Sequence, residues 1–536
     1  MLEITVILFA AAIVFGIGRA TRLPMLPLLV IAGALLAAVG QVPVLEIGAW
    51  HIETPDMMPD RDFVIGMLEV GLAFLVFAAG IDMAPVRVGR QQGLALKVGL
   101  IQFTALGLLT GWLALRTGYG LEEALYVGLA ISASSTLVVV RVLQQRRELF
   151  EPFGRMIIGV LLLQDVLVIA ALVFLTALSH DSPEQMLRPL EAAVGLIVAA
   201  VILGRWVMPW VVERCRNDEE VLLLIVLTTL FAFIGIAHSQ GVPMVAGAFL
   251  AGLTLSGFPA RSLVRGLISS LSDFFVVVFF ISLGALLQVP SGRAVLEAAL
   301  MIGLVLIITP LIVAYVAERA GMTARGALEA GLVVAQTSEF SLVVALLGRE
   351  TGAISDDLFS MIVLVTVVTM MMTPLWSSQV FVRWLMRFHP RPGPKTRVPD
   401  LENHVVVIGG GTAGTLLVEK LRGADKGLVI IDNDPMVTVR FQQQKCAAVW
   451  GDADEQETLR EAGVHRARAV VVTTGSLHHL RQVLRLAGED ASVWFHAFEV
   501  DLAAEAEELG ANTIIYAEAA ADSFMEWYRE RETTPA

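Results

Sequence analysis

The sequence predicts a polytopic α-helical membrane protein of about thirteen transmembrane helices, followed by a smaller α/β domain. The chain has 536 residues, of which 56% are hydrophobic and 17% are charged, and its mean hydropathy is +0.73. Soluble proteins have roughly 25% charged residues, so this composition argues against a water-soluble enzyme of this length. The two cysteines, Cys215 and Cys446, are too few and too far apart for a disulfide framework or a zinc cage.

Apolar stretches of about 17–25 residues recur before residue 389, which is the length that crosses a hydrocarbon layer of ~30 Å. The predicted spans are 4–18, 23–40, 63–82, 92–115, 122–143, 154–178, 188–209, 219–238, 241–257, 267–288, 294–317, 324–348 and 357–385. The first span lacks a basic segment before it and a small-residue cleavage site, so it is expected to be a retained helix.

The arginines and lysines between the spans predict the orientation of the chain. With the N-terminus outside, the inner loops and the segment after the last span hold twenty Lys and Arg residues, and the outer loops hold five. This bias follows the positive-inside rule and places the domain after the spans in the cytoplasm.

Polar residues in the middle of a membrane span are candidates for function, because a charge there costs on the order of 2.5–3.5 kcal/mol even on lenient scales. The sixth span carries Gln164 and Asp165, with no Lys or Arg inside a span that could obviously neutralise the carboxylate. Such a carboxylate can bind either a proton or a cation. The alternative is a protonated Asp165 that only makes hydrogen bonds within the bundle.

Two further spans contain polar runs that are typical of interrupted helices. The fifth span has Ser132, Ser134, Ser135 and Thr136, and the twelfth has Gln336, Thr337, Ser338 and Glu339. Either run alone could be a packing contact between membrane helices. Their pairing predicts inverted repeats in which two corresponding helices are broken at mid-membrane, leaving carbonyl groups and half-helix dipoles to bind ions.

Four other charged residues, within spans or near their ends, are weaker candidates. Asp82, Lys97 and Asp273 are expected to reach the membrane interface with their polar ends. Glu69 in the third span has no predicted role.

The chain is divided by a proline-rich segment. We predict a membrane domain over residues 1–388, a linker over residues 389–402 that contains four prolines, and a soluble domain over residues 403–536. The soluble part carries 12 basic and 21 acidic residues, a net charge of -9, which argues against a nucleic-acid partner.

The soluble segment begins with a nucleotide-binding signature. A predicted strand, 404–408, runs into Gly409, Gly411 and Gly414 in the spacing G-x-G-x-x-G, and a second strand, 428–431, ends in Asp432. The glycines allow a tight turn and close approach of a phosphate to a helix N-terminus, while Asp432 can accept hydrogen bonds from ribose hydroxyls. This combination predicts a Rossmann domain that prefers NAD(H), AMP, ADP or ATP to NADP. The predicted binding residues are Gly409, Gly411, Thr412, Ala413, Gly414, Asp432 and Asp452.

The remaining pattern completes a single mononucleotide-binding domain, with predicted strands over 447–450, 469–473, 493–495 and 513–515. About 134 residues leave no room for a substrate domain, so a membrane-tethered oxidoreductase is disfavoured. His478 and His479 follow Gly475 at a predicted helix start and are expected to be solvated. A bound nucleotide is expected to bias the membrane domain between conformations.

Taken together, the spans, the Ser134-Ser135-Thr136 run, Gln164-Asp165, the Glu339 stretch and the Rossmann domain resemble the second family of monovalent cation:proton antiporters. Within that family the chain is most similar to Kef-type potassium:proton antiporters, which carry a TrkA-N domain that regulates potassium conductance. From the fifth predicted strand onward this chain reads WFHAFEV where glutathione-gated members carry arginines, and its linker is shorter. Glutathione gating therefore stays open for this chain.

The resemblance implies a homodimeric, electroneutral potassium:proton antiporter of a bacterial inner membrane. Asp165 would carry the proton or cation, and the transported K⁺ or Na⁺ would be held by Asp165, Gln164, Ser134, Ser135, Thr136, Ser338 and Glu339. Two alternatives stay open from the residues. A sodium:proton antiporter fits equally well because nothing in the sequence sets the size of the cavity, and a nucleotide-gated potassium channel would need a carbonyl filter of a kind that the sequence lacks.

Overall fold

The chain forms two compact units. One comprises Met1–Met322 and Ala327–Phe381, and the other comprises Thr323–Gly326 and Val382–Ala536. The computed structural model describes residues 2–21, 24–40, 44–47, 50–53, 61–83, 92–145, 152–178, 183–214, 218–257, 260–287, 291–320, 322, 324–386, 388, 401–421, 427–432, 435–451, 453–454, 456–497, 500–516, 518, 521–522, 525 and 529.

The first unit is helical, and its helices match the predicted spans. Among the described residues, 9 helical segments are long and apolar enough to cross a membrane, and four shorter apolar helices accompany them. The helices are α1 (Leu2–Thr21), α2 (Met25–Gly40), α3 (Arg61–Asp82), α4 (Gln92–Arg116), α5 (Leu121–Ser132), α6 (Thr136–Gln145), α7 (Pro152–Leu178), α8 (Pro183–Ile202), α9 (Met208–Arg214), α10 (Glu219–Ser239), α11 (Met244–Thr254), α12 (Ala260–Ala285), α13 (Gly292–Arg319), α14 (Ala324–Val334), α15 (Glu339–Glu350), α16 (Asp356–Trp376) and α17 (Gln379–Met386). A π-helical segment, Leu203–Val207, joins α8 to α9.

The two predicted breaks are present. The fifth span is divided between α5, which ends at Ser132, and α6, which begins at Thr136. The twelfth span is divided between α14, which ends at Val334, and α15, which begins at Glu339. Small hydroxyl residues favour such breaks because their side chains can bond to backbone groups that the helix no longer pairs. The Ser338 side chain does so by accepting a hydrogen bond from the backbone N–H of Phe340.

The helices of this unit pack mainly in two groups. The scaffold group, as we name it, contains α1, α2, α3, α10, α11 and α12, and the core group contains α4, α5, α6, α7, α13, α14, α15 and α16. Each broken helix lies in the core group, where α5 packs against α15. This arrangement places the two breaks next to each other.

A hydrogen-bonded cluster joins α13 to the loop that follows α4. The Tyr119 hydroxyl donates to Glu297 Oε2 at 2.6 Å, and Arg293 Nε donates to Glu297 Oε1 at 2.8 Å. Arg293 also donates to the Thr117 carbonyl. Burial and the bond to Glu297 raise the pKa of Tyr119, so its hydroxyl remains a donor. The cluster ties α13 to the loop that leads into the first half of the broken fifth span.

A short antiparallel hairpin, which was not predicted from the sequence, lies between α2 and α3. It consists of β1 (Val44–Ile47) and β2 (Trp50–Glu53), with Val44 opposite Glu53 and Ile47 opposite Trp50. Two residues separate the strands, which is the commonest length for a hairpin loop.

The second unit contains a parallel, doubly wound sheet, as predicted. Its six strands have the order β5-β4-β3-β6-β7-β8. The strands are β3 (Val405–Ile408), β4 (Leu428–Asp432), β5 (Ala447–Trp450), β6 (Ala469–Val472), β7 (Ser492–Ala497) and β8 (Asn512–Ile515). The helices are α18 (Thr412–Leu421), α19 (Pro435–Gln443), α20 (Gln456–Glu461), α21 (Leu477–Leu486) and α22 (Val500–Glu508), with a 3₁₀ turn at Val464–Arg466. The central strands β3 and β6 consist only of apolar residues, because both faces of the sheet are covered.

Candidate functional site

Asp165 lies on α7 at a cavity of about 180 Å³ within the membrane unit. Its side chain is 2% exposed. Oδ2 accepts a hydrogen bond of 3.1 Å from the Thr136 hydroxyl at the start of α6, whereas Oδ1 has no partner among the described residues. The cavity is far larger than the roughly 10–15 Å³ that one water needs. An acceptor oxygen is therefore available for a proton or a cation.

Glu339 brings a second carboxylate to the same cavity. It is the first residue of α15, is 3% exposed, and has an Oε2 atom without a described hydrogen-bond partner. Its carboxylate lies near the Ser135 hydroxyl and the first backbone N–H groups of α6. Two half-helix N-termini thus meet at the cavity, and the positive ends of their dipoles favour a carboxylate there.

The lining of the cavity also contains two carboxylates that the sequence analysis assigned to the membrane interface. Asp82 ends α3 and Asp273 lies on α12, and both line the cavity together with Asp165 and Glu339. None of the described lining residues is Lys or Arg. The sequence could not place Asp82 and Asp273 at the cavity, because both lie near the ends of their spans. The packing of α3 against α12 brings them there. Lys97 is exposed on α4, outside the lining.

Gln164 and Ser134 hold the broken backbone in place. Gln164 Oε1 accepts the backbone N–H of Ser134 at 2.9 Å, and Gln164 Nε2 donates to Gln102 Oε1. Gln102 in turn donates to the Ser132 carbonyl at 3.1 Å. The Ser134 hydroxyl donates to the Val334 carbonyl at 2.8 Å, which joins one break to the other. These contacts pair backbone groups that the interrupted helices leave unpaired.

The remaining predicted residues divide between the cavity and the helix starts. Thr136 lines the cavity beside Asp165. Ser135 accepts the backbone N–H of Val138 at 3.3 Å, and Ser338 accepts that of Phe340 at 3.1 Å. The structure therefore brings Thr136, Asp165 and Glu339 together around one space, with the serines as supports next to it.

The glycine motif of the second unit lies at a topological switch point. The neighbours of β3 are β4 on one side and β6 on the other, and ligands of such sheets bind where the strand order reverses. Gly409 has φ +98, a conformation that favours glycine. A Cβ on Gly414 would collide with the Gly409 carbonyl, whereas a Cβ on Gly411 would enter open space. The loop is thus closely packed on one side and open on the other.

The acidic residue at the end of β4 is where the motif predicts it. Asp432 Oδ2 accepts the backbone N–H of Gly410 at 2.6 Å and lines a cleft with Gly409 and Gly451. Thr412 and Ala413 begin α18. Asp452 lies outside the described residues.

Sequence reasoning missed Arg440, which reaches the glycine loop from α19. Its guanidinium donates to the Thr415 hydroxyl at 2.7 Å and to the Gly410 carbonyl at 3.3 Å. This contact could not be predicted from the sequence, because the sequence of α19 is that of an ordinary amphipathic helix. Open space beside Gly411, a helix start and an acidic side chain form a cradle that fits a nucleotide's phosphates and ribose.

Comparisons with known proteins agree with both units. The model of the transmembrane sodium/hydrogen exchangers matches residues 4–383, and the model of the TrkA-N domain matches residues 405–517. A putative cation/proton antiporter of Escherichia coli K12, YbaL, is 24% identical over 494 residues, which cover 87% of this chain and 88% of that protein. A glutathione-regulated potassium-efflux protein of Cronobacter sakazakii, KefC, is 25% identical over 434 residues, which cover 79% of this chain and 69% of that protein.

A solved structure is similar in fold. It is the sodium proton antiporter MjNhaP1 from Methanocaldococcus jannaschii, with 16% identity and a TM-score of 0.54, and the match covers 71% of this chain and 98% of that one. The predicted antiporter class is confirmed, and the predicted absence of enzymatic function agrees with relatives that are transporters. The chain therefore belongs to the sodium/hydrogen exchanger family, as a membrane cation/proton antiporter with a TrkA-N domain.

Proposed function

We propose that this antiporter exchanges potassium for protons without net charge movement, with Asp165 as the carrier of either ion. The observation that carries the proposal is the unpartnered Oδ1 atom of Asp165 at a cavity whose described lining contains no Lys or Arg. The positively charged side chain of a Lys or Arg in the lining would pair with that oxygen permanently. Without one, a proton and a metal ion compete for it.

Electroneutral exchange is proposed because the residue that precedes the carrier in α7 is uncharged. Gln164 is neutral, so Asp165 releases one proton when it takes up one monovalent cation and regains it when the cation leaves. Thr136, Glu339, Ser135 and Ser338 are the proposed neighbours of the ion, and Gln164 and Ser134 are proposed to hold the two breaks at the right separation.

The walls of the cavity support an alternating-access cycle. Asp82 and Asp273 come from the scaffold group, and Asp165 and Glu339 come from the core group. With the N-terminus outside, Asp82 lies at the cytoplasmic end of α3, so the cavity is inward-facing. Movement of the core group past the scaffold group would then expose Asp165 to the other side.

Potassium is favoured as the cation because the KefC relative is a potassium-efflux protein. Sodium is the second candidate, because the matching family model describes sodium/hydrogen exchangers. Measurement of proton flux driven by potassium and by sodium distinguishes these two candidates.

The soluble part is proposed to regulate this exchange. We assign residues 1–388 to the exchanger, 389–402 to the linker and 403–536 to a cytoplasmic domain that binds AMP, ADP, ATP or NAD(H) between Gly409, Gly411, Gly414 and Asp432. The protein is proposed to act as a homodimer in a bacterial inner membrane.

The experiment is proton flux in proteoliposomes with a trapped pH-sensitive dye, started by a gradient of potassium or sodium. Asp165→Asn keeps the size of the side chain and removes its charge, so we expect loss of cation-driven proton movement. Asp357→Asn is the matched control, because Asp357 is exposed in the first turn of α16 and does not line the cavity.

Transport by Asp165→Asn at the wild-type rate would refute the carrier assignment. A membrane potential generated by the exchange would refute electroneutrality, and a response to sodium alone would replace potassium as the substrate.

A further inference from the structure

The nucleotide cleft contains an imidazole that the glycine motif does not account for. His479 lies in the first turn of α21, the helix that follows β6, and lines the same cleft as Gly409, Asp432 and Gly451. The sequence analysis expected it to be solvated, but its side chain is only 19% exposed. Since β3 and β6 flank the switch point, the starts of α18 and α21 both lie at this end of the sheet.

Both ring nitrogens of His479 have polar neighbours. Nδ1 is 2.8 Å from the Thr474 hydroxyl, which can either donate or accept a hydrogen bond. Nε2 is 3.4 Å from Asp454 Oδ1. A hydroxyl that adapts its direction and a nearby carboxylate fit the neutral and the protonated imidazole alike, so the ring keeps its position when its charge changes.

We propose that His479 is a pH-responsive residue of the nucleotide site, whose protonated imidazole strengthens the binding of nucleotide phosphates. This inference rests on the proposed nucleotide site. Imidazole is the side chain that ordinarily changes charge between about pH 5 and pH 8. A positive charge at the cleft attracts phosphate through charge-assisted hydrogen bonds and Coulomb attraction.

The other charges around His479 determine the sign of the effect. His478 Nε2 lies 3.5 Å from Asp454 Oδ1 on the exposed side, and Asp432 lies across the cleft. Both carboxylates favour protonation of the ring. Burial lowers the pKa of His496 on the neighbouring β7, so that imidazole tends to stay uncharged. The other elements that pack against α21 carry the charged or titratable groups Glu457, Arg460, Glu461, His465 and Arg466.

The direction of exchange determines how the charge of His479 would respond to transport. A potassium:proton antiporter that releases potassium from the cell brings protons in. If His479 gains a proton as the cytoplasm acidifies, the nucleotide is held more tightly in the cleft. Transport would lower the cytoplasmic pH, and the lower pH would increase the fraction of regulatory sites that hold a nucleotide.

The test is titration calorimetry on the purified full-length protein in detergent, with NADH, AMP and adenosine at pH 6.0 and pH 8.0. The pyrophosphate of NADH does not titrate in this range, so a pH effect on its affinity comes from the protein. We expect NADH to bind roughly three- to tenfold more tightly at pH 6.0, and adenosine, which lacks phosphate, to show no such ratio. Titrations in buffers of different ionisation enthalpy should show that NADH binding takes up protons.

Two variants locate the effect. His479→Gln keeps a polar side chain without the charge. In this variant the affinity for NADH at pH 6.0 should exceed that at pH 8.0 by less than about twofold. His465→Gln is the matched control, because His465 is exposed in the 3₁₀ turn before β6 and does not line the cleft. Asp454→Asn, which retains the imidazole, should lower the ratio and serves as the second variant if His479→Gln does not fold.

The outcomes separate the two proposals. The inference about His479 is overturned, and the nucleotide site stands, if NADH and AMP bind equally well at both pH values in the wild-type protein or if the pH effect survives in His479→Gln. Where His479→Gln does not fold, survival of the pH effect in Asp454→Asn overturns it. If neither nucleotide binds at either pH, the proposed site fails and the inference fails with it.

Discussion

Gln164 is adjacent to the proposed ion carrier, yet its contacts are those of a residue that serves the backbone. Both ends of its amide are engaged, the oxygen with the Ser134 N–H and the nitrogen with Gln102. A buried backbone N–H that loses its acceptor costs about 1–3 kcal/mol. The structure therefore separates a residue that holds the break from the neighbouring residue that faces the cavity.

We predict that Gln164→Leu lowers both stability and transport. Leucine cannot accept the Ser134 N–H, so a decrease of about 1–3 kcal/mol in the free energy of unfolding is expected, together with slower cation-driven proton flux. Thermal unfolding in detergent and proteoliposome flux measure the two effects. Gln144→Leu is the control, because Gln144 is exposed on α6. Full stability of Gln164→Leu would mean that the break does not depend on this amide.

The sequence identified the residues whose environment is decided by chain position alone. Asp165 lies near the middle of an apolar run of more than twenty residues, so it has to be buried wherever the helix packs. Asp82 and Asp273 could not be placed in the same way. Each could have reached the interface, and only the packing of α3 against α12 directs them to the cavity.

The broken helices show the same limit for secondary-structure elements. The positions of the breaks follow from local polar runs, so they were predictable at Ser132–Thr136 and Gln336–Glu339. The hydrogen bond from Ser134 to Val334 was not, because these residues are 200 positions apart in the chain. The strands of the TrkA-N domain were predicted to within two residues at either end, since each is a short apolar run between turns. The hairpin of β1 and β2 was missed because it lies in a connection between spans.

Close backbone contact between α2 and α12 leads to a prediction about these elements. A Cβ on Gly33 would collide with the Ile281 carbonyl, and one on Gly284 would collide with the Val30 carbonyl. We expect Gly33→Ala or Gly284→Ala to force the two helices apart, which costs about 1–3 kcal/mol in a well-packed interior.

Thermal unfolding in detergent tests this prediction. Gly303→Ala on α13 is the matched control, because a Cβ there meets no atom within 4 Å. It should leave the unfolding temperature unchanged or raise it, since alanine is the better helix former. Equal unfolding temperatures for all three variants would contradict the close approach of α2 and α12.

In the whole molecule, we expect the nucleotide that binds the TrkA-N domain to control the exchanger. We predict that Asp432→Ala weakens binding of AMP and NADH by about tenfold or more, because the ribose loses an acceptor and Gly410 loses the carboxylate that orders its N–H. Calorimetry measures the affinity, and proteoliposome flux with added nucleotide measures the response.

The control for this variant is Asp490→Ala, a turn residue that does not line the cleft. Unchanged affinities in Asp432→Ala would place the nucleotide elsewhere. Normal binding without any effect of the nucleotide on flux would instead show that the domain binds its ligand but does not regulate transport.

The mixed origin of the cavity walls has a pharmacological consequence. A small positively charged molecule in this space would touch α3 and α12 on one side and α6 and α15 on the other. It would act as a wedge, because any sliding of one wall past the other would break half of its contacts. Inhibitors that arrest the cycle could therefore be sought by their fit in shape and charge to the cavity between the scaffold group and the core group. Such inhibitors need not displace the ion from its carboxylate.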